Sequence, residues 1–148
     1  MTPAKITKLM TIARAVAQLS KDDTKVGAVI IGPDGEGGPW GYNGAPRGCS
    51  ADEDERFQTR PEKYYWAEHA ERNAIYTAAR SGFSPKGATL VVTHFPCMDC
   101  ARAIVQSGIK RVIVGGMTTA FSERWRENIV RSKQLFEETG VELIETKD

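Results

Sequence analysis

Two short motifs constrain the fold of this chain more than any other feature: a His-x-Glu and, further along, a Pro-Cys-x-x-Cys. Histidine nitrogen and cysteine sulfur are ligands that zinc prefers, and a catalytic zinc site keeps three protein ligands and one position for water. His69, Cys97 and Cys100 supply three ligands, and Glu71 remains as a free carboxylate. The chain must therefore fold so that two distant motifs meet at one metal ion.

The spacing within each motif indicates the start of a helix. Residues two apart in a helix interior point to different sides, so His69 and Glu71 share a site only at a helix N-terminus. Residues 67–80 have the helical period and predict such a helix. Pro96 is typical of the start of a helix, which places both cysteines in an opening turn. Two helix dipoles would then favour thiolates at the metal.

Composition and charge exclude several classes of protein. The net charge is +1, so no cationic surface indicates a nucleic-acid partner, and we expect a small-molecule substrate. No apolar run approaches the roughly 20 residues that cross a membrane. Three cysteines, two of them in one metal motif, argue against a disulfide framework and for a reducing compartment. We predict a cytoplasmic protein with no membrane partner, and a single domain over residues 1–148.

Periodicity and turn residues predict an alternating order of helices and strands, αββαβαβαβ. This order implies an α/β fold of three layers, α/β/α, in which helices cover both faces of a five-stranded mixed sheet. The predicted helices are 3–19, 67–80, 96–108 and 119–139, and the predicted strands are 25–31, 40–43, 88–93, 111–114 and 141–144.

A long polar stretch at residues 50–62 has no apolar period. Loops of more than about 12 residues inside compact domains are usually functional or disordered, and this one leads into Tyr64-Tyr65-Trp66 and the His69 motif. We predict that it forms either a lid or a subunit contact. The aromatic group after it favours a homo-oligomer.

Four blocks carry a family resemblance: Val-Gly-Ala-Val-Ile at 26–30, Gly-Tyr-Asn-Gly-x-Pro-x-Gly-Cys at 41–49, His-Ala-Glu-x-Asn-Ala-Ile at 69–75 and Gln-Ser-Gly-Ile at 106–109. With the zinc motif, they make nearly the whole chain resemble the cytidine and deoxycytidylate deaminase superfamily. Its deoxycytidylate (dCMP) branch is the most similar. The resemblance implies a cytidine-deaminase-like fold and a zinc-dependent CMP/dCMP deaminase domain.

The same resemblance implies a reaction and roles for several residues. A zinc-activated water would attack C4 of dCMP and give dUMP, which feeds thymidylate synthesis, plus ammonia. Glu71 would move the protons, Asn43 would contact the sugar hydroxyl, and the backbone of Ala70 would contact the base. His94 would line the base pocket, although a hydrogen-bonded buried histidine is an equal alternative.

Recognition of the phosphate is less clearly encoded. Lys63, Tyr65 or Arg126 would provide the cationic or hydroxyl partners by their approximate position. Arg126 follows Trp125 in a segment where many relatives place a tyrosine and a basic residue. A solvated helix face remains the alternative interpretation of Arg126.

The metal content and the assembly also follow from the resemblance. Some family members carry a second, structural zinc, but only Cys49 and His94 remain here as further ligands, so we expect one zinc per subunit. Cys49 is more typical of a small buried thiol. The family includes hexamers and members regulated by dCTP and dTTP, and both properties are expectations for this chain.

Three alternatives remain open. The same chemistry could act on dCTP, a modified dCMP, guanine or an adenosine in tRNA. The zinc could instead be structural, in a non-catalytic binding module, if Cys49, His94 or a carboxylate supplied a fourth ligand. Glu71 alone could also be an acid favoured at the start of a helix by the dipole.

Overall fold

The computed structural model describes residues 1–147, in which helices pack on both faces of a five-stranded sheet. The helices are α1 (Pro3–Ala17), α2 (Glu62–Trp66), α3 (Ala70–Ser81), α4 (Met98–Gln106), α5 (Thr119–Arg124) and α6 (Arg126–Thr139). The strands are β1 (Gly27–Ile31), β2 (Gly37–Tyr42), β3 (Thr89–Val92), β4 (Arg111–Val114) and β5 (Glu142–Glu145). No helix within this range is long and apolar enough to span a bilayer.

The sheet is mixed, with the strand order β2-β1-β3-β4-β5. Strand β1 is antiparallel to both of its neighbours, whereas β3, β4 and β5 are parallel to one another. Every residue of β1 and β3 is buried, as expected for inner strands that are covered on both faces. The predicted five-stranded mixed sheet is therefore confirmed.

Two apolar clusters divide the core between the faces of the sheet. On one face, α1 packs Met10, Ala13 and Val16 against β1, β3 and β4. On the other face, α3, α4 and α6 cover the alternate residues of the same strands. The three-layer architecture predicted from the sequence is therefore confirmed.

Helix α3 lies unusually close to the sheet because small residues face each other across the contact. Ala70, Ala74 and Ala78 are fully buried on this side of the helix. A Cβ at Gly41 of β2 would lie 2.4 Å from both the carbonyl oxygen of Ala70 and the backbone nitrogen of Ala74. The glycine therefore permits a backbone approach that fixes where the first turn of α3 sits.

Two of the predicted helices differ most from the structure. The helix predicted for 119–139 is divided at Trp125, which takes a non-helical backbone conformation between α5 and α6. No glycine or proline marks this break, so local sequence rules do not reveal it. The helix predicted from residue 67 begins at Ala70, because His69 is extended and precedes the first turn.

The polar stretch at 50–62 is ordered along part of its length. It contains two single-turn 3-10 helices, Ala51–Glu53 and Glu55–Phe57, and continues into the short helix α2. The Asp54 side chain accepts a hydrogen bond from the Arg56 backbone and pairs with its guanidinium, which lowers the pKa of Asp54 to about 2. Short-range polar contacts of this kind have no apolar period and so escape a periodicity analysis.

Candidate active site

Three ligand atoms converge at one point of the described chain. The Nδ1 atom of His69 lies 3.4 Å from the Sγ atom of Cys97 and 3.4 Å from that of Cys100. Ligand atoms that share a tetrahedral zinc at about 2.0–2.3 Å lie roughly 3.5 Å from one another. The spacing and the nitrogen and sulfur donors therefore fit a zinc ion.

Two helix N-termini bring these ligands together. His69 is the extended residue before α3, and Cys97 is the extended residue before α4. Neither side chain caps its own helix, so the imidazole and the Cys97 thiol remain available to the metal. Cys100 follows in the first turn of α4, and Pro96 is fully buried beneath it. The predicted placement of both motifs at helix starts is confirmed.

The two thiols differ in their acidity before a metal binds. Hydrogen bonds from Cys100 and His69 lower the pKa of the Cys97 thiol to about 4, against the opposing effect of burial. The same bond to Cys97, together with burial, raises the pKa of the Cys100 thiol. The Cys97 thiolate is therefore available to a metal, and the Cys100 thiol would lose its proton on binding zinc.

Glu71 lies in the first turn of α3 and is 4% exposed. Its carboxylate has the Cys100 thiol as a hydrogen-bond partner, and burial raises its pKa. The three-residue ligand group identified among residues 1–147 does not include Glu71. The carboxylate thus lies beside the metal position, in a dry environment suited to proton transfer.

The candidates for a fourth ligand lie elsewhere. Neither Cys49 nor His94 belongs to the ligand group of the described residues. The Nδ1 atom of His94 is 2.9 Å from the Thr93 hydroxyl, and burial lowers the pKa of the imidazole, which favours its neutral form. Three protein ligands are the number that a catalytic zinc site has.

A cavity opens in front of this cluster, where β2 and β3 end and β1 begins. Three aromatic rings form one wall: Phe121 of α5 lies 4.7 Å from His94, and Trp125 lies 6.2 Å from Phe121, measured between ring centroids. The edge of Trp125 also meets the ring of His69 at 6.3 Å. The break after α5 thus places an aromatic side chain against a zinc ligand.

Four of the six predicted substrate-binding residues line this cavity: Asn43, Ala70, His94 and Lys63. The Asn43 side chain accepts a hydrogen bond from the Val26 N–H at 2.9 Å and donates one to the Thr24 carbonyl at 2.8 Å. These bonds use one acceptor position and one donor, so the amide keeps further capacity for a ligand.

The three residues predicted for the phosphate occupy different places. Lys63 lines the cavity, but its ammonium pairs with Asp22 at 2.7 Å, and both side chains are nearly buried. Tyr65 is 79% exposed and lies outside the cavity lining. Arg126 begins α6 and also lies outside the lining.

Two other arginines line the mouth of the cavity, Arg60 and Arg124. Arg124 donates a hydrogen bond to the Tyr64 hydroxyl, and the Arg60 guanidinium lies 5.9 Å from the centre of the Tyr64 ring. Sequence reasoning missed both arginines. Residues 124 and 126 differ by about 200° on a continuous helix, so the side that faces the cavity depends on the break at Trp125.

Comparison with known proteins agrees with this site. The profile of the cytidine and deoxycytidylate deaminase zinc-binding region matches residues 3–116. An uncharacterized deaminase of Aliivibrio fischeri is 41% identical over 139 residues, which cover 92% of this chain and 89% of that protein.

Two characterised relatives extend the comparison. The human deoxycytidylate deaminase is 40% identical over 112 residues, and the match spans 70% of this chain and 60% of the human enzyme. The crystal structure of the dCMP deaminase of cyanophage S-TIM5 with dCMP and dUMP has a TM-score of 0.78 and 30% identity, and covers 99% of both chains. The His-Cys-Cys cluster is compatible with the zinc of such a region, and the chain belongs to the cytidine and deoxycytidylate deaminase family.

Proposed function

We propose that this chain, as a single domain with one zinc per subunit, hydrolyses dCMP to dUMP and ammonia and so feeds thymidylate synthesis. The observation that carries the proposal is a buried carboxylate beside a three-ligand zinc site, at the base of a cavity with two arginines at its mouth. The similarity to a solved dCMP deaminase with dCMP and dUMP supports the choice of substrate.

The proposed reaction uses Glu71 as both base and acid. His69, Cys97 and Cys100 would hold the zinc ion, which when bound would lower the pKa of a coordinated water to about 7. The Glu71 carboxylate accepts a proton from this water and donates it to N3 of the cytosine ring. The oxygen of the water forms a bond to C4, and Glu71 carries the second proton from this oxygen to the amino group. The C4–N bond then breaks and ammonia leaves, so water and dCMP give dUMP with all atoms balanced.

The base and the sugar are held by groups on the floor of the cavity. We assign the sugar hydroxyl to the free capacity of the Asn43 amide and the base to the Ala70 backbone at the start of α3. Burial lowers the pKa of His94 and so favours its neutral form, which adds a polar edge to the base pocket. Phe121 and Trp125 exclude water from the same wall.

We assign the phosphate to Arg60 and Arg124, in place of Lys63, Tyr65 and Arg126. A guanidinium binds phosphate through two parallel N–H groups, and Tyr64 supports both side chains from α2. The Lys63 ammonium is already neutralised by Asp22, so we assign it a role in holding the cavity wall.

The assembly and regulation of the enzyme extend the proposal. We propose a cytoplasmic homo-oligomer, a hexamer by family resemblance, whose rate responds to dCTP and dTTP. Large exposed aromatic side chains, such as Trp40 at 53% and Tyr65 at 79% exposure, favour contacts between subunits. Sedimentation as a monomer at micromolar concentration would contradict the oligomer.

A substrate panel tests the proposed function directly. Ammonia release is measured with dCMP, deoxycytidine, dCTP, a 5-substituted dCMP, guanine and an adenosine-containing tRNA stem-loop, each with and without dCTP or dTTP as effector. We expect dCMP to have the highest kcat/KM. Turnover of guanine or tRNA adenosine without turnover of dCMP would overturn the assignment.

A further inference from the structure

Four charged side chains form a continuous ion-pair network beside the zinc ligands: Glu68, Arg72, Asp99 and Arg102. Glu68 precedes the ligand His69, and Asp99 lies between the two ligand cysteines. Glu68 and Arg72 belong to the segment around the start of α3, whereas Asp99 and Arg102 belong to α4. The network therefore connects the two helix starts that carry the metal ligands.

Arg72 is the residue that crosses between the two helices. Its Nε atom donates to Glu68 at 2.5 Å, and its Nη1 atom lies 3.6 Å from the Oδ2 atom of Asp99. Its side chain is 18% exposed, whereas those of Asp99 and Arg102 are 63% and 56% exposed. Because Arg72 and Glu68 are shielded from water, their pair is screened less than an exposed one.

The Glu68 carboxylate connects Arg72 to the backbone of the histidine ligand through hydrogen bonds. Its carboxylate accepts a hydrogen bond from the His69 N–H at 3.1 Å, in addition to the bond from Arg72. The backbone of Glu68 is itself fixed by two hydrogen bonds with Gly44, of 2.8 and 3.1 Å. A substitution of Arg72 would therefore affect the position of His69 through a single intermediate residue, Glu68.

The charge of Arg72 also suits the metal site. Burial opposes the charged form, but the Cys100 thiolate and the Glu68 carboxylate more than offset this effect and raise the pKa of the guanidinium. A zinc ion with two thiolates and the nearby Glu71 carboxylate leaves one negative charge. The positive charge of the Arg72 guanidinium balances that negative charge.

We propose that Arg72 is a positioning residue of the zinc centre, which ties the start of α3 to the start of α4 and thereby holds His69 at ligand distance from Cys97 and Cys100. This inference rests on the zinc site of the proposed function and not on the identity of the substrate. Groups that orient metal ligands typically contribute 10- to 100-fold to metal affinity.

Zinc affinity of the purified full chain tests the proposal without any nucleotide. The zinc dissociation constant is measured by competition with a chromophoric chelator for the original protein and for Arg72→Met, Arg72→Lys and Arg102→Met. We expect a 10- to 100-fold weaker affinity for Arg72→Met and a partial recovery for Arg72→Lys, whose ammonium reaches only one of the two carboxylates. Arg102→Met, which breaks only the exposed end, should stay within about twofold.

The absorption spectrum of the cobalt-substituted protein gives a second measurement. A shifted or weakened ligand-field band in Arg72→Met, but not in Arg102→Met, would show that the ligand geometry has changed. If Arg72→Met fails to fold, Glu68→Gln and Asp99→Asn weaken the same connection from either side, and each should raise the zinc dissociation constant severalfold. An unchanged zinc affinity in folded Arg72→Met, or in both of these variants, would overturn the proposal, as would an equal loss in Arg102→Met.

Discussion

At the scale of single residues, a substitution of Glu71 distinguishes metal binding from turnover. Glu71→Gln keeps the shape of the side chain but cannot accept a proton. Positioned acid–base groups contribute about 10²- to 10⁴-fold, and Glu71 acts twice in the proposed cycle. We therefore expect kcat for dCMP to fall by at least about 10³-fold while zinc content, measured by metal analysis, stays at one per subunit. A variant with near-normal turnover would refute the role of Glu71.

Arg124 and Arg126 offer a direct comparison at the mouth of the cavity. Arg124 lines the cavity and Arg126 does not. A charged hydrogen bond contributes about 1.5–3 kcal/mol, so Arg124→Met should raise KM for dCMP by about 10- to 100-fold. Arg126→Met should change KM by less than about twofold. The opposite pattern would restore the assignment made from sequence position, and deoxycytidine, which has no phosphate, should be insensitive to both.

Residue chemistry explains which parts of the site the sequence could predict. The ligands and Glu71 lie within two short motifs, where spacing alone fixes their relative positions. Arg60 and Arg124 come from segments that meet only through tertiary packing around Tyr64. Nothing in their local sequence distinguishes them from Arg126, so the sequence could not show which arginines line the cavity.

At the scale of helices and strands, the contact between β2 and α3 sets the distance of α3 from the sheet. Gly41→Ala would force a Cβ into the backbone of Ala70 and Ala74, and overpacking of this kind costs about 1–3 kcal/mol. Urea unfolding should show this loss of stability. Gly37→Ala is the matched control on the same strand, because nothing lies within 4 Å of its Cβ position. Equal effects of the two substitutions would contradict the close approach.

Periodicity predicted the elements that bury an apolar face and missed the short helix α2. Helices α1 and α3 bury residues at helical spacing, and strand β1 has no polar side chain. Neither α2 nor α5 has a buried residue, and α5 was predicted only as part of the helix 119–139. The break at Trp125 depends on the aromatic wall that the ring joins, which is a tertiary effect.

At the scale of the whole molecule, zinc joins segments that are distant along the chain. His69 and Cys97 are 28 residues apart and lie on different helices. A ligand present at about 1,000 times its dissociation constant stabilises the folded state by about 4 kcal/mol. Removal of zinc should therefore lower the unfolding midpoint by roughly 10 °C for a chain of this size, as measured by calorimetry with and without chelator. In Cys97→Ala the chelator should have little effect, and an equal shift there would contradict a specific site.

The strand order of the sheet is a property of the whole molecule that the sequence order alone leaves open. A helix between two strands favours a parallel neighbour, as seen for β3, β4 and β5. The position of β1 between β2 and β3 brings Val26, Asn43 and His94 together at one end of these strands, although the three residues are far apart in sequence. The alternation of helices and strands in the sequence was enough to predict the three layers. It did not predict which residues would line the cavity, because that depends on the strand order.

The weak anchoring of α2 and α5 has a consequence for how the enzyme could adapt. Segments with few buried contacts open locally at low free energy, so amide hydrogen exchange should be faster in Glu62–Trp66 and Thr119–Arg124 than in α3 or β3. Equal protection in all four would refute this. The catalytic groups lie at the starts of α3 and α4, whereas the nucleotide would enter the cavity along α2 and α5. Mutations can thus retune substrate choice and product release on α2 and α5 while the chemistry of the floor stays intact, which separates the evolution of specificity from that of catalysis.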